Sequence, residues 1–98
     1  MVEKKDIPVA PVASVHHDKV AYTIEIKLPG VDKKDIEFEA SAHHFSVSAP
    51  RDHTKYSWSW ALVHKVDPKK AKATYTNGLL RVTLPVVERV KGEEISIE

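Results

Sequence analysis

The chain has 98 residues, 42% of them apolar and 30% charged, an ordinary balance for one folded domain with one core. Its net charge of +1 gives no field for capturing nucleic acid, and with no cysteine it has no disulfide, thiolate chemistry or Cys-ligated zinc. No apolar run approaches the ~20 residues of a membrane-spanning helix, and the opening M-V-E-K-K-D-I-P lacks the apolar stretch of a secretory signal, so a soluble cytoplasmic protein is expected.

Residues 1–11 mix charges with Pro8 and Pro11 and show no period, which predicts an extended, mobile arm. Residues 12–15 read as a short edge strand, and His16-His17-Asp18-Lys19 as a polar turn. The longest alternation follows. Val20, Tyr22, Ile24, Ile26 and Leu28 share one face, and Ala21, Thr23, Glu25 and Lys27 the other. Pro29-Gly30 breaks that strand, and residues 31–35 form a charged connection with room for one helical turn. Ile36, Phe38 and Ala40 alternate with Glu37 and Glu39, then Phe45, Val47 and Ala49 with Ser46 and Ser48. The loop between these strands is placed at Ser41-Ala42-His43-His44. Tyr56, Trp58, Trp60 and Leu62 make another apolar face, and Asp67-Pro68-Lys69 a turn.

The last hairpin is the clearest local signal. Asn77-Gly78 suits a type I′ turn, which needs positive φ at both central residues. Ala73 and Tyr75 alternate with Thr74 and Thr76 before it, and Leu80, Val82 and Leu84 with Arg81 and Thr83 after it. Pro85 removes a ladder donor and ends the strand. No amphipathic helix of ten residues is present, so the pattern predicts an antiparallel β-sandwich or barrel. The expected core is Val20, Tyr22, Ile24, Ile26, Phe38, Phe45, Val47, Trp60, Leu62, Leu80, Val82 and Leu84.

The residues that could carry chemistry form no site. His16-His17 and His43-His44 are adjacent pairs whose members point to opposite faces of a strand, so each pair offers at most one ligand. They read as surface turn histidines. No serine lies in G-x-S-x-G, and Gly30, Gly78 and Gly92 are too far apart to cradle phosphate. Trp58 and Trp60 suit core packing better than a base-stacking platform, which calls for a stronger positive field. Lys65, Lys69, Lys70 and Lys72 read as a solvated face. No catalytic residue, cofactor or metal is expected.

Three stretches carry a resemblance. Ala73-x-x-x-Asn77-Gly78-Leu79-Leu80 resembles the A-x-x-x-n-G-v-L signature of the α-crystallin domain of small heat-shock proteins, with Leu79 for valine. Leu28-Pro29-Gly30-Val31-Asp32-Lys33-Lys34-Asp35-Ile36 is similar to that family's E-L-P-G-x-x-K-x-D-I segment, and Ile95-Ser96-Ile97 to its Ile-x-Ile tail. The resemblance implies an immunoglobulin-like antiparallel sandwich of about seven strands over residues 12–86, after a short arm at 1–11 and before an extension at 87–98. It implies an ATP-independent chaperone that binds partly unfolded clients, self-associates through its tail, and uses neither nucleic acid nor membrane. Ile95 and Ile97 would then dock in a groove lined by Ile36, Phe38, Ala40, Ala71, Ala73 and Tyr75.

Two departures stand out. Many family members carry a long excursion whose extra strand swaps into a partner, but here only five residues separate Pro50 from Tyr56, a reach of ~17 Å. Trp58 and Val63 also replace the arginine and proline of the family's F-x-R-x-F-x-L-P strand. The absent swap strand makes a CS-domain-like adaptor, binding a folded partner, the alternative reading.

Overall fold

The computed structural model describes residues 7–87 together with Ser96 and Ile97. Its strands are β1 (Ile7–Val9), β2 (Val12–His17), β3 (Ala21–Lys27), β4 (Glu37–Ser41), β5 (His44–Arg51), β6 (Thr54–Ala61), β7 (Lys72–Thr76) and β8 (Leu79–Pro85). They form two four-stranded sheets, ordered β1-β6-β5-β4 and β2-β3-β8-β7. All pairings are antiparallel except that of β1 with β6, which is parallel. The architecture is the expected sandwich with one strand more than about seven. The extra strand comes from the N-terminal arm, where Ile7 pairs with Thr54 and Val9 with Tyr56. Pro8 is tolerated there because an edge strand has one row of amides that needs no partner.

The inward residues of β3, β5 and β8 make the core. Tyr22, Ile24, Ile26, Phe45, Val47, Ala49, Leu80, Val82 and Leu84 are buried, joined by Leu28, Val31, Leu62 and Val66. The period-two pattern sets this register, since a slip of one residue would bring Glu25, Ser46 and Arg81 inward. Arg81 instead reaches across the outer face to Glu25 in an ion pair of 2.7 Å.

Two expected core positions lie outside it. Val20 is 65% exposed, because it sits in the turn before β3, whose pairing with β8 starts only at Ala21. The Asp18 carboxylate organises that turn by accepting from the amides of Val20 (2.7 Å) and Ala21 (2.9 Å). Those bonds hold its pKa below the ordinary carboxylate value. Trp60 is 49% exposed although it points inward with Tyr56 and Trp58. Three-residue β1 covers β6 only over residues 54–56, so the Trp60 end of β6 lies at an open border of its sheet.

Three loops differ from the expected boundaries. His16 and His17 belong to β2, and the turn starts at Asp18. His44 opens β5, so the β4–β5 turn is Ala42-His43 alone. The β5–β6 connection tightens to Asp52-His53, with Asp52 at φ +50° and Arg51 paired to Thr54. Pro50 fits inside β5 because β4 pairs with that strand no further than Ser48.

Candidate functional site

The crossing from β1 to β2 at Ala10-Pro11 joins one border of the sandwich, which puts β4 and β7 at the opposite border. Each is the edge of its sheet, and among the described residues its outer row of N–H and C=O groups has no strand partner. A sheet edge with open backbone groups is a template for an added strand. Of the expected groove residues, Ile36, Phe38 and Ala40 on the β4 side and Ala71 and Tyr75 on the β7 side are half-buried and pack against the core. Ala73 is exposed. The border is therefore apolar at its floor and polar at its lips. Glu37 and Glu39 stand exposed along β4, Lys69 and Lys70 on the approach to β7, and Lys72 at its first position.

Aromatic contacts stiffen the β4 side. Phe38 stacks on Phe45 with ring centres 5.4 Å apart, and Phe45 meets Trp58 edge-on at 5.3 Å. On the β7 side the Tyr75 hydroxyl lies 2.6 Å from the Leu28 carbonyl and 2.9 Å from that of Val31, tying the groove wall to the loop after β3. One hydroxyl proton serves both acceptors, so the two contacts form one bifurcated anchor.

The two signature stretches meet in space. The Leu28 amide donates to the Gly78 carbonyl at 2.7 Å. A Cβ on Gly78 would lie 3.3 Å from Pro29 Cα, so the Asn77-Gly78 turn is packed backbone to backbone on Leu28-Pro29-Gly30. Asn77 (φ +51°) and Gly78 (φ +80°) take the left-handed conformation of a type I′ turn. Leu80 is buried opposite Ile26, and Leu79 is half-buried. Sequence reasoning finds each motif but not their contact, which spans some fifty residues of chain and leaves no local periodicity.

Ile95 lies outside the described residues. Ile97 is described and is 94% exposed. Ile97 is therefore not buried in the groove in this single chain.

The model of the Hsp20/alpha crystallin family matches residues 14–98 of this sequence. The chain belongs to that family. Spore protein SP21 of Stigmatella aurantiaca is 31% identical to it, over 89% of this chain and 61% of that protein. The chain thus spans less than two thirds of that relative's length. Heat shock protein 16.0 of Schizosaccharomyces pombe has a similar structure, with a TM-score of 0.76 at 25% identity, covering 93% of this chain and 77% of that one. The fold is also shared with the CS domain of human KIAA1068 protein, at a TM-score of 0.69 and 18% identity over 92% of this chain and 82% of that one.

Within this Hsp20/alpha crystallin domain, β1 precedes the family-matched region. Among the described residues no helix is long and apolar enough to cross a membrane.

Proposed function

We propose that this chain is an ATP-independent holdase of the cytoplasm, which binds partly unfolded proteins and limits their aggregation. The observation that carries the reading is the border between β4 and β7. Two edge strands, whose outer rows have no strand partner among the described residues, frame an apolar floor of Ile36, Phe38, Ala40 and Tyr75, in a chain of the Hsp20/alpha crystallin family. A client with exposed apolar segments gains by burying them there before meeting another unfolded chain. The same border takes the Ile95-x-Ile97 tail of a second copy, so tail and client compete for one surface. Neither nucleotide, metal nor cofactor enters this capture.

Light scattering of a heated client tests it. Suppression at equimolar protein without nucleotide is the expected result, and unchanged scattering sinks the reading. The likeness to a CS domain favours one alternative, an adaptor for a folded partner. Binding to a folded chaperone with no effect on scattering would select it.

A further inference from the structure

His17 is the last residue of β2, and His64 lies in the connection that leaves β6. Their imidazole centres are 5.2 Å apart at an interplanar angle of 64°. Tyr22 lies against both, with ring centres 5.1 Å from His17 and 6.2 Å from His64. The pair joins the end of β2 in one sheet to the connection leaving β6 of the other, so nothing in the local sequence brings it together.

The connection carrying His64 is held firmly. The Leu62 amide donates to the His43 carbonyl (2.8 Å), that of His64 to the Tyr22 hydroxyl (2.9 Å) and that of Val66 to the Ala42 carbonyl (2.9 Å). Tyr22 is itself buried, at 3% exposure. His17 is set by its strand pairing to Tyr22. The backbone carrying each ring is thus held in advance, which spares a ligand part of the ordering cost.

We infer that His17 and His64 form a two-imidazole site for a late first-row divalent cation. Zinc–imidazole bonds are ~2.0–2.1 Å, so two rings on one tetrahedral ion have centres ~5 Å apart. The observed spacing matches. Imidazole selects copper, nickel and zinc over calcium and magnesium, which require oxygen ligands. The nearest acid in sequence, Asp18, has Oδ1 committed to the Val20 and Ala21 amides. No third His, Cys, Asp or Glu completes a group among the described residues, so water fills the remaining positions and the ion exchanges readily. Bound there, it would tie the edge strand β2 to the segment leaving the other sheet.

The test is titration of the untagged full chain with zinc chloride, read by the ring signals of all six histidines and by the unfolding temperature. Saturable one-to-one shifts confined to His17 and His64, with a raised unfolding temperature, are expected. His17→Gln and His64→Gln should each abolish both effects, while His43→Gln with His44→Gln leaves them intact. Shifts spread evenly over all six histidines, or stabilisation that survives loss of either ring, overturn the site and leave an aromatic contact only. The wild-type ring signals decide the matter even if a variant fails to fold.

Discussion

Gly78 shows how one residue serves both turn and tertiary contact. Its φ of +80° is strained for any L side chain, and its missing Cβ leaves the Pro29 backbone room to approach. Gly78→Ala therefore adds backbone strain and crowds the 3.3 Å approach to Pro29 at once. It should lower stability by about 1–3 kcal/mol, seen as a lower denaturant midpoint at unchanged slope. Asn77 takes positive φ as well, but Asn tolerates that region better than most residues. A midpoint that does not move would mean that the contact between the two signature stretches contributes nothing.

Among the elements, the tail and the β4–β7 border make the informative pair. In an extended chain Ile95 and Ile97 project to the same side, ~7 Å apart, as an added strand requires. Each buried isoleucine contributes about 1.5–3 kcal/mol before ordering costs, which suits a reversible contact. Glu93, Glu94 and Glu98 flank the pair, complementary to Lys69, Lys70 and Lys72 beside β7. Ile95→Ala with Ile97→Ala should reduce the assembled mass and leave the fold intact. Sedimentation across concentration, with amide spectra of Phe38, Ala40 and Tyr75, checks it. If mass and groove signals are both unchanged, the tail is a solvated end.

For the molecule as a whole, the closed β5–β6 hairpin decides how copies can meet. Arg51 pairs with Thr54 across the two-residue turn Asp52-His53, leaving no length of chain to reach a neighbour's sheet and return. Ser48 and Ser57 are direct cross-strand partners on the outer face, and the chain has no cysteine to interfere. Ser48→Cys with Ser57→Cys should therefore oxidise within one chain, the cross-strand Cβ atoms closing from roughly 4.5–5.5 Å to the ~3.5–4.5 Å of a disulfide. A denaturing gel without reductant should show monomer alone, whatever the mass in solution. Disulfide-linked dimers as the main product would mean that β6 is exchanged between copies.

By itself the sequence determined the strands, their inward faces and the turns, because these depend on alternation and on the φ that Gly, Asn and Pro allow. The inward sets Tyr22-Ile24-Ile26 and Leu80-Val82-Leu84 were legible for that reason. So was the short β5–β6 link, a departure from the family pattern, and so was the family itself, through the Ala73–Leu80 and Leu28–Ile36 stretches. Tertiary structure alone decided which strand ends are covered, since burial depends on the opposing sheet and not on period. Trp60 has the parity of a core residue yet is half exposed, because β1 stops short of it. The same holds for β1, whose three residues are too few to show a period. It holds too for the His17–His64 pair, which only the packing of one sheet on the other brings together.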